Sequence, residues 1–337
     1  MLTTTVAGRT WSYSHSIGRT SVAGAGFNHP TAVAVAPGGI LYVLSRGFEG
    51  PDNIGGVEGE NKRIGKLTID ERFICDFGRR DFTWPAGLAI DMEGRVYCAD
   101  EYENFVAVYT PDGERIGQWG KPGSGKGELN GPSGLAFDSE DNLYVVDSKN
   151  NRVQRFTNDG QALGAWGSWG SGEGQFNQPW GITVDQKGDV YVADFGNDRV
   201  QKFTSDGAFL LAFGSSDGQG GDLKRPADVA VDDEGDVYVS DFGNKRVQIY
   251  DSGGEIITSL YGDATEFSKW AQETVDANPD VAKAYRRVND MTPLRLFQRP
   301  TGIAIDEHNR IIITETTRSR LQVYVKEKDY RDPQFNL

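Results

Sequence analysis

Three side chains could do acid–base or anion-stabilising chemistry together: Arg46 in LYVLSRG, Glu101 in VYCADEY and Lys149 in LYVVDSKN. Each follows an apolar run at an equivalent place. A carboxylate beside two cations can move a proton and hold a developing negative charge. Metal chemistry has less material. The chain has three histidines, His15, His29 and His308, and two cysteines, Cys75 and Cys98. Zinc requires imidazole, thiolate or carboxylate donors, and these histidines sit in unlike local contexts, so no catalytic zinc is expected. One cation site is conceivable: Asp228 in RPADVAVD stands where PAGLAID, PSGLAFD, PWGITVD and PTGIAID carry glycine. A carboxylate among converging backbone carbonyls suits calcium; a bound water or a hydrogen bond to Thr301 is the favoured alternative.

These residues are positioned by a repeat. Pro followed by a small or aromatic residue and an apolar run recurs at Pro30, Pro85, Pro132, Pro179, Pro226 and Pro300, with spacings of 55, 47, 47, 47 and 74. Each unit continues with a Gly- or Asn-bearing turn, a second apolar strand such as VYVAD, a polar loop, a third strand such as RVQKF and another turn. It closes on an apolar residue and Gly, as at Trp119-Gly120 and Phe213-Gly214. Four short strands in 40–50 residues is a propeller blade. The chain is therefore read as one all-β unit over 1–337, a six-bladed β-propeller of four-stranded blades. The sixth blade lacks a closing strand after LQVYVKEKDY. The segment near Tyr13–Ile17 supplies it, because Gly18 precedes Pro30 by the same 12 residues that separate Gly120 from Pro132.

The motif D-x-x-N-x-R-V-Q at Asp147–Gln154, Asp194–Gln201 and Asp241–Gln248, after P-x-G-[IL]-[AT]-[VIF]-D, resembles the NHL repeat family. The resemblance spans the chain and specifies fold more than function, since propellers host enzymes, adaptors and sensors. The Asp, Asn and Arg read as structural: the first two satisfy turn amides, and Arg reaches toward the neighbouring blade. The scaffold is also similar to the peptidyl-α-hydroxyglycine α-amidating lyase, whose active-site Arg falls on Arg46. That family's three zinc histidines fall on Ala86, Trp180 and Thr301, its second Arg on Phe195, and its Tyr finds no clear counterpart near Lys149. The resemblance thus carries the scaffold without the metal.

The loop entering the first strand and the loop joining strands two and three lie at one end of each blade, around the mouth of the central channel. The mouth then holds Thr31, Ala86, Ser133, Trp180, Ala227 and Thr301 after the prolines, and Arg46, Glu101, Tyr102, Ser148, Lys149, Phe195, Phe242, Thr316 and Arg318 around the second loop. An aromatic wall with a few polar groups is a usual pocket composition; the rings could instead pack on one another. Two insertions fall at this end. Residues 46–63 lengthen a loop of blade one. Residues 264–290 carry two helices, the second capped by Asn278 before Pro279, with apolar stripes at Phe267/Trp270/Val275 and Val281/Tyr285/Val288. They are expected to dock on the mouth aromatics as a lid.

Net charge is −14, which argues against a nucleic-acid partner. No apolar run approaches a membrane span, and two cysteines are too few for a disulfide framework. The N-terminal MLTTTVAGRTWSY shows no signal peptide; a cytoplasmic or otherwise soluble placement is expected, although a processed secreted chain would read the same. GKPGSGKGE lacks the phosphate-loop spacing, and the DQKGD-type hairpins are too short for calcium loops. The leading expectation is a module binding a small molecule or peptide segment in a lidded mouth. A zinc-independent lyase or hydrolase using the same mouth and a protein-interaction scaffold compete with it.

Overall fold

In the computed structural model, residues 3–6, 8–47, 61–214, 222–288, 290 and 292–327 are described. Six antiparallel blades form a ring. Blade three shows the pattern: Pro132–Phe137, Leu143–Asp147, Arg152–Phe156 and Ala162–Trp166, innermost to outermost. The second strands of blades two to five are buried at every position. A strand covered on both faces must be apolar throughout, hence VYCAD, LYVVD, VYVAD and VYVSD.

The recurrent Asp and Tyr couple the first two strands. In blade five Asp232 Oδ1 accepts the Glu234 and Asp236 amides of the hairpin, at 3.0 and 2.9 Å, while Oδ2 accepts the Tyr238 hydroxyl at 2.9 Å. Asp185 does the same in the DQKGD hairpin through the Lys187 and Asp189 amides. The carboxylates of these hairpins therefore serve the turns.

Blade six is closed from the other end of the chain. Arg9–Ile17 pairs with Arg320–Glu327, from Thr10↔Glu327 to Ile17↔Leu321. A further strand not anticipated in the sequence, Thr3–Val6, pairs with Arg9–Ser12. Gly8 supplies the left-handed turn (φ +76°) between them, and the β-branched TTTV run suits an extended edge. Trp11 anchors the closure: it is 1% exposed, and its Nε1 donates to the Tyr238 hydroxyl of blade five at 2.8 Å.

The 264–290 insertion does contain two helices, α1 (Lys269–Ala277) and α2 (Pro279–Tyr285), with Asn278 Oδ1 accepting the Asp280 and Val281 amides. A third, α3 (Thr292–Arg295), extends the insertion past residue 290. The expected docking on the mouth fails. Trp270 is buried with Phe27, Ile17, Leu67 and Leu321, at the seam between blades six and one, and its ring lies 6.0 Å from that of Phe27. Polar contacts fix this placement. Ser268 donates to the Gly18 carbonyl at 2.7 Å, and Glu71 accepts the Gly18 and Lys269 amides. The seam offers an apolar gap plus unsatisfied backbone groups, a better match for a nine-residue amphipathic helix than a ring of half-exposed aromatics. Phe267 and Tyr285 pair with each other instead, with ring centroids 4.4 Å apart. The other expected insertion, 46–63, falls mostly outside the described residues; its last residue, Arg63, begins the third strand of blade one and is buried against Asp76. No helix among the described residues is long and apolar enough to cross a membrane.

Candidate binding site at the channel mouth

The first strands converge on the axis and leave a channel of about 400 Å³. Their contacts join neighbouring blades. The Gly134 amide and the Ser133 hydroxyl donate to the Trp180 carbonyl at 2.8 and 2.9 Å. The Thr301 and Thr316 hydroxyls donate to the Pro30 carbonyl. Between blades five and six the link is a side chain: Asp228 Oδ2 accepts the Ile303 amide at 3.0 Å, and Oδ1 accepts the Val229 amide. The carboxylate is not bonded to Thr301. Gly181 makes room for it, since a Cβ there would lie 2.3 Å from Asp228 Oδ1. Burial pushes the Asp228 carboxyl up to about 7, against the two amide bonds that pull it down. Among the described residues no three His, Cys, Asp or Glu side chains converge.

At the mouth the channel opens into a cavity of about 480 Å³ walled by His29, Thr31, Arg46, Trp180, Phe242, Arg299, Thr301 and Thr316. The aromatic rings do pack on one another, Trp180 on Phe195 at 5.9 Å and Phe195 on Phe242 at 6.3 Å. They also carry cations. Arg225 lies over Phe195 at 5.9 Å, Arg299 over Phe242 at 5.7 Å and Arg46 over Trp84 at 5.7 Å. Such stacks orient a guanidinium while leaving its edge to solvent or ligand. The Thr31 hydroxyl is buried with no hydrogen-bond partner, and a buried polar group in that state is costly unless something else bonds to it.

The structure brings Arg46 and Glu101 together, Nη2 to Oε1 at 2.7 Å, with side chains 14% and 12% exposed. It does not add Lys149 to them. That side chain runs along Gly131, where a Cβ would meet its Cγ at 2.9 Å, and it is no part of the cavity wall. Tyr102 is exposed and stands edge-on to Trp84 at 5.3 Å, outside the cavity. Arg318 is directed elsewhere: its guanidinium donates to the Pro293 and Leu294 carbonyls of α3, as C-terminal helix carbonyls commonly require. Of the sequence-derived mouth set, Thr31, Arg46, Trp180, Phe242, Thr301 and Thr316 line the cavity, with Phe195 behind them.

The rim also holds Arg299, Arg225 and His29, which the sequence does not single out. Each immediately precedes the blade-entry proline, whereas the repeat reading places the residue after that proline at the mouth. Arg225 and His29 hold positive φ (51° and 52°), which turns the side chain up onto the rim. The Arg225 amide is satisfied by Asp198 of the preceding blade at 2.7 Å, just as the Gln178 amide is by Asn151. The signal was therefore present as a position in the repeat.

The motif residues are structural. Asp147 Oδ1 accepts the Asn130 amide at 2.6 Å; Oδ2 accepts Asn150, Arg152 Nε and Gln154. Arg152 donates its remaining N–H groups to the Ser124, Gly125 and Glu128 carbonyls. It thus grips the linker entering its own blade, and the GSGK stretch is part of that linker.

Four segments, residues 129–156, 176–203, 223–250 and 297–324, match the NHL repeat. No curated protein matches the chain in sequence. Solved structures share its architecture. An inactive virginiamycin B lyase from Staphylococcus aureus, solved with quinupristin, is similar with a TM-score of 0.57 and 14% identity, covering 94% of this chain and 99% of that one. A gluconolactonase from Xanthomonas campestris gives 0.58 and 14%, with coverages of 94% and 99%. A protein of unknown function from Bacteroides thetaiotaomicron gives 0.64 and 18%, covering 95% of this chain and 76% of that one. At these identities the likeness is one of fold.

Proposed function

We propose that this NHL-repeat β-propeller binds a small molecule or a short peptide segment in the mouth cavity. The observation that carries the reading is the cavity itself: about 480 Å³ at the end of the channel, walled by Trp180, Phe242, two arginines and three threonine hydroxyls. A concave site of this size with an apolar wall and a few convergent polar groups is what small ligands require. The helices of the insertion do not roof it, so ligand entry needs no opening of α1 or α2. A fragment library screened by ligand-observed NMR tests the reading. Binders should lose affinity on Trp180→Ala; binders indifferent to that change would place the site elsewhere.

The Arg46–Glu101 pair supports a second reading, turnover without zinc. A carboxylate and a guanidinium at 2.7 Å beside the cavity could abstract a proton and hold an oxyanion, and the lyase and lactonase named above share the fold. Hydrolysis or elimination from a panel of esters and lactones, lost in Glu101→Gln, would favour it over simple binding.

A further inference from the structure

We infer that the ligand of the mouth cavity is a small organic anion, a carboxylate attached to a flat apolar body, with Arg299 as its anchor. The inference rests on the mouth as the binding site and adds the chemical class. The chain is acidic, net −14, yet among the described lining residues the charged side chains are Arg46 and Arg299, with no carboxylate beside them in the wall. Glu101 stands behind Arg46 and offsets its charge. Arg299 has no such neighbour among the described residues. Glu315, in the same blade, is occupied by Arg320 and Gln322 through one oxygen and by the Gln298 amide through the other. The Arg299 guanidinium is exposed and rests on the face of Phe242. It is thereby oriented, and its N–H edge remains available for a bidentate bond to a planar anion.

The rest of the wall completes the preference. Trp180 and Phe242 offer ring faces on which a flat apolar body can stack. The Thr31 hydroxyl, buried and without a partner, can donate to an anion oxygen or accept from a neighbouring hydroxyl. Arg225, stacked on Phe195 of the same aromatic row, adds positive potential at the rim. A cationic or polyanionic ligand fits poorly: the first meets two guanidiniums, and the second carries more charge than Arg299, the wall arginine with no ion-paired carboxylate among the described residues, can match.

The test is isothermal titration of the full chain with three probes on one naphthyl body: 2-naphthoate, its isostere 2-naphthamide, and the cation 2-naphthylmethylammonium. The carboxylate should bind about tenfold or more tightly than the amide, as a charge-assisted bidentate contact implies, and the ammonium weakest. Sodium chloride should weaken the carboxylate and leave the amide unaffected, because the anchoring charge is exposed to solvent. Arg299→Gln should bring naphthoate down to the affinity of naphthamide, Arg299→Lys should restore part of the difference, and Arg72→Gln, in the turn between the third and fourth strands of blade one, should change nothing. Equal binding of acid and amide, or an Arg299→Gln protein that still discriminates, overturns the anion assignment. The mouth reading survives that result if Trp180→Ala weakens both probes. Absence of heat from all three probes at millimolar concentration also overturns the assignment, and the fragment screen then decides separately whether the mouth binds at all.

Discussion

At the scale of single residues, the same side-chain type takes opposite roles according to what surrounds it. Asp147 is wholly buried but meets one amide, one side-chain amide, a guanidinium and a glutamine. Removing it orphans Arg152 and the Asn130 amide, so Asp147→Ala should cost about 3–5 kcal/mol in denaturant unfolding. Asp228 meets only two backbone amides, and burial raises its carboxyl to about 7 from 3.8. An acid whose folded value is raised holds its proton where the unfolded chain has lost it. Between about pH 4 and 7 the folded state then binds more protons, stability falls as pH rises, and above 7 the cost is constant. Thermal unfolding of Asp228→Asn from pH 4 to 8 should show a shallower decline than the parent; parallel profiles would mean that Asp228 ionises normally. Both its oxygens already accept amides, and among the described residues it belongs to no group of three or more His, Cys, Asp or Glu side chains. Calcium or EDTA should therefore leave the melting temperature unchanged, and a calcium-dependent rise would restore the cation reading.

At the scale of elements, the two ends of the chain and the insertion meet at one seam. The strand Arg9–Ile17 closes blade six, and α1 packs over the junction it makes with blade one. Deleting residues 1–17 removes Trp11 from its site against Tyr238 and bares the Arg320–Glu327 edge. The melting temperature should fall by several degrees and association should increase; an unchanged melt would contradict the closure. Trp270→Ala should act locally. Large-to-small changes at buried aromatics cost about 3–5 kcal/mol, and here the loss falls on the docking of one short helix. Hydrogen exchange over 269–277 should accelerate while probe binding at the mouth is unaltered. Weakened probe binding would show that the insertion roofs the site after all.

At the scale of the whole molecule, a protein of net charge −14 gathers Arg46, Arg225 and Arg299 at the rim of one channel end. The local field there opposes the global one, so small anions can be attracted while extended polyanions are repelled by the remaining surface. Duplex DNA and single-stranded RNA should show no saturable binding at physiological salt, whereas naphthoate should; nucleic-acid binding with a steep salt slope would assign the rim to a different partner class.

The ring of blades is legible from the chain alone because the repeat is written in local chemistry: a proline at every blade entrance, and the D-x-x-N-x-R-V-Q loop in blades three to five. The closing strand is legible because the 12-residue spacing from Gly18 to Pro30 is the one that recurs in the linkers entering blades three, four and five. The identity of the pocket wall was not. Whether a rim arginine faces the cavity, as Arg299 does, or clamps the carbonyls of α3, as Arg318 does, depends on which acceptors the folded insertion places beside it. Whether α1 covers the mouth or the seam depends on two apolar surfaces competing for one helix, and the seam won because Glu71 also accepts the Lys269 amide of its first turn and the Gly18 carbonyl accepts the hydroxyl of its cap, Ser268. Sequence periodicity fixes which face of a helix is apolar. Only the assembled ring decides where a complementary apolar gap with matching polar groups exists.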